Sequence, residues 1–590
     1  MLFRQEKTGM SMLRHHKDSF QTMTQAIRKT VPAPLQPAPF NVPQPSVTTL
    51  DNGLKVVILS DRRLPLVSYR LAFLSGDSAD PEGQIGITSA MASMLTEGTL
   101  NYSSRELAEK VERLGANLSA SASEDFFVVA GSSLSIYGSE VLQLIAEITF
   151  RATFPESELD LYRRNTLEHL KFQRSQPGFL ANEQVARILY GEHPYARISP
   201  TPADVEQFSR EFLSDYYAKK LLPNDAILIA VGDIEGDDFL KEVSEHFGSW
   251  KSGDVAVPSV ASPPKRKERS LTIVDRPGSA QSNIVLANLA FERNSPDYFP
   301  AIVMNQILGA GASSRVFMNL REEKGYTYGA YTRLDVRRLA GDFEATAEVR
   351  TAVTGDSLRE FFYELERIRT DLVSEQEITD AKNFLTGVFP IRAETQEGLT
   401  NLIVNQQLYE LPDDYLQTYR DNIEAVTLED VQAVAKKYIH PDDLAIVVVG
   451  DAQDVLAQAR SYAERIDIFD TEGRSMDIGS FEQQSDEETA VVKGTWELAL
   501  DFQGQSVPVT LTLDQNDEKI SGKIETVLGG GNIEDGSVKG KKVSATASTE
   551  IQGQSVDFVI SGVVDGDSMS GTLSTAIIPE SLAFEGKRVS

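Results

Sequence analysis

The chain offers few side chains able to hold a metal or move a proton. It has six histidines, His15, His16, His169, His193, His246 and His440, and no cysteine. Disulfides and thiolate metal sites are therefore excluded. None of the histidines is paired in an H-x-x-E-H pattern, and His15 and His16 lie in an N-terminal arm expected to be disordered. Arg321 and Tyr328, seven residues apart, are a more useful pair. A guanidinium fork can clamp a peptide carbonyl or carboxylate, and a phenol can donate to a developing oxyanion. Taken singly, each is ordinary: an exposed arginine, a half-buried strand tyrosine. Gly309-Ala310-Gly311 lacks the Lys-Ser/Thr that completes a phosphate loop and reads as a turn. Asp565-Gly566-Asp567 falls far short of a calcium loop and reads as a hairpin turn.

A second stretch is informative for what it lacks. Gly86-Ile87-Thr88-Ser89-Ala90-Met91-Ala92-Ser93-Met94-Leu95-Thr96-Glu97-Gly98-Thr99 has the frame G-x-x-H-x-x-E-H-M-x-x-x-G-T of a zinc-peptidase helix. Ser89 and Ser93 stand at the histidine positions and Ala92 at the glutamate position. Zinc needs imidazole, thiolate or carboxylate donors, and a general base must accept a proton near neutral pH. Serine and alanine do neither here. With the H-x-x-E-H order of inverzincins, the chain resembles the pitrilysin/insulinase family of zinc peptidases over roughly Leu50 to Glu464. The resemblance includes the opening strand Leu50-Asp51-Asn52-Gly53-Leu54-Lys55-Val56-Val57, the next strand Val67 to Gly76, and the segment Leu308 to Phe317 leading into Leu320 to Tyr328.

The resemblance implies a third zinc ligand, a glutamate some 75 residues downstream of the helix. His169 falls at that position, and a shift of one residue would bring Glu168 there. Either could touch a metal, but one surviving ligand does not hold zinc. It also implies that Arg321 and Tyr328 reach across a chamber to the substrate at the zinc. Some members of the family divide the labour, one chain carrying H-x-x-E-H and the other the Arg/Tyr pair, in a clam-like heterodimer. The implied function is a non-zinc-binding subunit that binds peptide at a sheet edge and assists proteolysis by an H-x-x-E-H partner. No cofactor is expected in this chain, and zinc is expected in the partner. The alternative is a non-catalytic peptide-binding or scaffold protein on the same fold.

Two halves repeat. Ala218 to Asp233 and Ala435 to Asp451 each read as a helix end, a Pro-Asp turn and a buried β-branched strand, about 218 residues apart. Strands alternate with amphipathic helices, including Ser103–Leu114 with Ser103 and Ser104 as N-cap candidates, and Ser139–Phe150 with Val141, Leu142, Leu144, Ile145 and Ile148 on its apolar face. The expected class is α+β, with helices on one face of each sheet. Beyond Glu464 the chain turns polar and acidic. It then becomes Val/Thr/Ser/Gly-rich with period-two alternation, as in Val507 to Leu513. That tail repeats too: Gln503-Gly504-Gln505-Ser506-Val507 recurs as Gln552-Gly553-Gln554-Ser555-Val556, and Ser521-Gly522 as Ser570-Gly571, each after 49 residues. A small antiparallel barrel or sandwich with a binding or docking role follows.

The expected organisation is therefore a disordered arm and proline-rich strap (1–46), a domain with the degenerate motif (47–250), a linker (251–268), a second domain with the Arg/Tyr pair (269–465), an acidic linker (466–492) and a β-domain (493–590). Hydrophobic residues make up 41% of the 590, enough for ordinary cores, and the net charge of −30 argues against nucleic acid and anionic membranes as partners. No apolar run reaches membrane-spanning length. The N-terminus is basic but has no continuous apolar stretch of a secretory signal. The compartment stays open: cytoplasmic by default, cell envelope or periplasm if the chain starts elsewhere.

Overall fold

The computed structural model describes residues 42–255, 260–482, 489–502, 505–526, 529–551, 554–575 and 578–589. The N-terminal arm, most of the proline-rich strap, the acidic run 483–488 and the Gln503-Gly504 and Gln552-Gly553 pairs lie outside them.

The first half forms a six-stranded sheet from β1 (Ser46–Thr49), β2 (Lys55–Ser60), β3 (Leu66–Phe73), β4 (Asn117–Ala122), β5 (Phe127–Leu134) and β6 (Ala226–Gly232). Their order is β1-β2-β6-β3-β5-β4, with β2 and β6 parallel and the other neighbours antiparallel. The second sheet uses β7 (Ser270–Asp275), β8 (Gln281–Leu289), β9 (Thr327–Val336), β10 (Gly341–Arg350), β11 (Ala445–Gly450), β12 (Arg465–Phe469) and β13 (Ser475–Met476). It runs β13-β12-β7-β11-β8-β10-β9. The core order β2-β6-β3-β5-β4 thus recurs as β7-β11-β8-β10-β9, parallel pair included. The two sequence repeats, around Ala226 and Ala445, are the same central strand of each sheet.

Each half packs its own helices on one face of its sheet. Val141, Leu142, Leu144, Ile145 and Ile148 of the Gly138–Arg151 helix join Val56, Leu71, Val129 and Leu228. The Ser104–Arg113 helix starts at Ser103, whose hydroxyl and Glu106 form a reciprocal cap. The opposite face of each sheet is covered by the other half. Leu399, Ile403 and Leu408 of the Gln396–Leu408 helix lie on Val57, Ile229 and Val231 of the first sheet. Leu180, Val185 and Leu189 of the Pro177–Tyr190 helix lie on Val285, Val447 and Val449 of the second. This exchange explains why β6, β7 and β11 are buried at every position. Residues 466–476, expected within a linker, instead add β12 and β13 to the second sheet. Ile468 enters the core while Arg465 and Asp467 pair outside it, so a polar-looking run still satisfies the alternation of a strand near the sheet edge, with only the two-residue β13 beyond it.

The tail is a closed barrel of eight antiparallel strands in sequence order: β14 (Gly494–Phe502), β15 (Gln505–Asn516), β16 (Lys519–Thr526), β17 (Gly529–Lys539), β18 (Lys542–Ile551), β19 (Gln554–Asp565), β20 (Ser568–Thr575) and β21 (Ile578–Arg588). Trp496, Leu511, Ile524, Val543, Ile560 and Phe584 fill its inside, while Thr512, Lys523, Ser544 and Thr546 face out. An apolar lumen with a polar exterior is the reverse of a membrane-spanning barrel. The 49-residue repeat is a four-strand offset. Gly522 on β16 and Gly571 on β20 occupy the same close approach, where a Cβ would come within 2.0 Å of Thr512 O and Ser561 O respectively. Asp565-Gly566-Asp567 forms the β19–β20 turn, with Asp565 paired to Lys541 at 3.0 Å and Asp567 to Arg588 at 3.3 Å. Among the described residues no helix is long and apolar enough to cross a membrane.

Candidate functional site

After β3 the chain turns through Asp77–Ala79 and enters the Ile87–Met94 helix from Gly86, which is left-handed at φ 85°. A side chain at Gly86 would be strained and would meet Pro200 at 3.0 Å. Two carboxylates take up the orphan amides of the helix start. Asp80 accepts from Gly86 N at 2.7 Å and Thr88 N at 3.3 Å, as well as from the Thr88 hydroxyl and, at 3.3 Å, from Tyr216. Asp77 accepts from Ser89 N at 3.1 Å and from the Ser89 hydroxyl at 2.7 Å. Burial raises the Asp77 carboxyl, against the lowering effect of the Ser89 hydrogen bonds. Asp80 is pushed up to about 7, first by burial and then by the neighbouring Asp77 charge. Burial lowers the Lys220 ammonium, while Asp80, Asp225 and Asp77 oppose that effect.

The motif positions are therefore occupied by other tasks. Ser89 is committed to Asp77. Ala92 is 2% exposed within the first core. Ser93 is exposed and donates back to Ser89 O at 3.0 Å. His169 and Glu168 lie on the Glu156–Ser175 helix, which touches the Ile87–Met94 helix. Both are exposed, and Glu168 pairs with Lys171 at 2.7 Å. Tyr162 on the same helix is the residue that senses the Asp77 and Asp80 charges; its phenol is raised to about 12, mainly by burial. Among the described residues no three His, Cys, Asp or Glu side chains are grouped to hold a metal. The donor set does not fit zinc.

In the second half the Arg315–Phe317 turn runs into a wide turn over Met318–Glu323, closed by Lys324 N on Asn319 O at 3.0 Å. Such widened turns concentrate at functional sites. The turn presents Arg321, half exposed, with its guanidinium 5.0 Å from the Phe317 ring and 3.4 Å from Glu322. Tyr328 follows on β9, the edge strand, and is 88% exposed. The pairing of β9 with β10 slips between Ala347 and Val349, so Tyr328 and Gly329 sit at a bulge. Bulges re-aim side chains. No hydrogen bond or ion pair among the described residues joins Arg321 or Tyr328 to Ser89, Ser93, Glu168 or His169. Among the described residues the two signatures share no polar contact. Arg315, within the second signature, is structural: it is buried, and its fork grips Glu377 at 2.7 and 3.1 Å.

Comparison with known proteins decides the family. Residues 55–202 match the model described as "Insulinase (Peptidase family M16)", and residues 207–385 match "Peptidase M16 inactive domain". The chain belongs to the M16 insulinase family. A Bacillus subtilis relative, "Uncharacterized zinc protease YmxG", is 23% identical over 68% of this chain and 97% of its own length. "Non-peptidase homolog YmxG" of Helicobacter pylori is 22% identical over 68% of this chain and 93% of its own. A crystal structure of a peptidase M16 inactive domain from Pseudomonas fluorescens superposes with a TM-score of 0.65 at 26% identity, covering 69% of this chain and 98% of that one. In this M16 chain the expected halves are present, and the matches to the family models stop at residue 385, short of the barrel.

The sequence reading did not identify Asp77, Asp80, Tyr162, Tyr216 and Lys220. A signal was available: Asp77 and Asp80 stand just before a helix whose first amides need acceptors.

Proposed function

We propose that the chain is a non-zinc-binding subunit of an M16 peptidase, inactive alone, that lends Arg321 and Tyr328 to the zinc centre of an H-x-x-E-H partner. The observation that carries this is the exposed Tyr328 phenol, without a hydrogen-bond partner among the described residues, at an edge-strand bulge seven residues after Arg321, in a protein whose own motif helix offers no metal donors. The "non-peptidase homolog" relative supports the inactive reading. Peptide would add to a free edge: β4 is the edge of the first sheet and alternates exposed with half-buried residues. The phenol would donate to the oxyanion, and the guanidinium would hold a substrate carbonyl or carboxylate.

The test mixes this chain with a family member that carries an intact H-x-x-E-H motif, taken from the same genome, and assays cleavage of an unfolded peptide. Activity present only in the mixture is expected. Arg321→Ala or Tyr328→Phe should then cut turnover about a hundredfold to a thousandfold, the usual cost of one oxyanion donor, without preventing assembly. Unchanged turnover in both variants, with assembly intact, would reject this role and leave a peptide-binding scaffold.

A further inference from the structure

A cavity of about 360 Å³ opens in the first half beside the start of the motif helix. It lies between the chain after β3, the Arg210–Lys220 helix and the loop leading into β6. Its size falls in the lower part of the small-molecule range, roughly 300–1,000 Å³.

The charges that line it are incompletely partnered. Lys220 donates to the Ser75 hydroxyl, and no carboxylate lies within ion-pair distance of it among the described residues. An ammonium has three donors, so two remain, with the face of the Tyr216 ring 5.8 Å away. Asp225 lines the same cavity, half-buried, and its carboxylate accepts no hydrogen bond among the described residues. Lys220 and Asp225 sense each other's charge, yet they stand too far apart for a salt bridge; Lys220 also feels Asp80 and Asp77, and Asp225 feels Arg338, none of them within ion-pair distance among the described residues. Lys219 and Asp215, both exposed, add one charge of each sign at the rim. Phe212, Leu222 and Pro81 form an apolar wall. Tyr216 is not free: its hydroxyl is taken by Thr88 at 2.7 Å and Asp80.

We propose that this cavity binds a free α-amino acid with an apolar side chain, its carboxylate on Lys220, its ammonium on Asp225 and its side chain against Phe212 and Leu222. A ligand of one sign fits less well. An anion would face Asp225 with Asp77 and Asp80 behind, and a cation would face Lys220 and Lys219. Either would leave one half-buried charge without a hydrogen-bonded counter-charge, which is costly. A zwitterion completes both. The inference does not depend on the existence of a peptidase partner, because the cavity lies within one half of one chain.

Calorimetric titration of the full chain with L-leucine tests it, with 3-methylbutylamine and 4-methylpentanoate as analogues lacking the carboxylate or the amine. Leucine should bind saturably at up to millimolar concentration. Each analogue should bind at least about tenfold more weakly, as expected for loss of one charged hydrogen-bonding group. Asp225→Asn and Lys220→Gln should each weaken leucine about tenfold. Lys219→Gln, at an exposed position where folding is not at risk, should weaken it by less. Absence of saturable leucine binding, an analogue that binds as well as leucine, or a folded Asp225→Asn protein with unchanged affinity would each overturn the proposal.

Discussion

The two halves share one strand order but treat their polar groups in opposite ways. In the first half, Asp77, Asp80, Thr88 and Ser89 satisfy one another around the start of the motif helix, and Ala92 is sealed in the core. In the second, a widened turn and a strand bulge leave Arg321 half exposed and Tyr328 almost wholly so. Side chains that serve only the fold tend to find partners inside it. The contrast is between a helix start whose polar groups are closed on one another in one half and two side chains exposed to solvent in the other.

Reversing the closure should cost most. Ala92→Glu, which restores the base of the family motif, would place a carboxylate in a fully buried site with no cation assigned to it. A loss of about 3–5 kcal/mol is expected in denaturant unfolding. A neutral effect would mean that the first half is still open to solvent at this helix. The reciprocal cover offers a second test. Ile403→Ala on the first sheet and Leu189→Ala on the second should each cost about 2–5 kcal/mol, and both should unfold the halves in one transition. Two separated transitions would show that the halves do not depend on each other's helices.

The Arg315–Glu377 fork sharpens the distinction between structural and open arginines in the second half. Burial alone would raise Glu377, but the Arg315 and Ser374 hydrogen bonds overcome it and bring the carboxyl down to about 2. Glu377→Gln should cost about 1.5–3 kcal/mol, whereas Arg321→Ala should leave stability nearly unchanged. The smallest effect is a pH dependence of the first half. Asp80 is held at about 7, while an unfolded aspartate titrates near ~3.9. Between those values the folded state keeps a proton that the unfolded chain has lost. The contribution of this group to stability is therefore fully present below about pH 4 and falls as the pH rises through 7. Asp80→Asn should flatten that slope when unfolding is followed from pH 4 to 7, and an unchanged slope would place the titration elsewhere.

Much of this was legible in sequence. The repeated central strands carry continuous β-branched runs, and the tail alternates with period two. The Gly86 and Gly98 frame reflects real steric needs, since a Cβ at Gly98 would meet Pro155 at 2.8 Å. The exchange of helices between sheets was not legible. A run such as Ala226 to Val231 says that both faces are buried, but not which helix covers the second one. The strands β12 and β13 were hidden because a strand at or next to the sheet edge needs only alternate apolar residues. The Asp77–Ser89 and Asp80–Thr88 pairs join a turn to a helix, and spacing alone does not show that contact.

The closure of the motif helix is tested most directly by the metal content of the chain alone. Protein equilibrated with zinc, desalted and analysed by mass spectrometry should hold no stoichiometric zinc, because Ser89 is bound to Asp77, Ala92 is apolar and Ser93 offers only a hydroxyl. One tightly held zinc per chain, lost on His169→Ala, would contradict it.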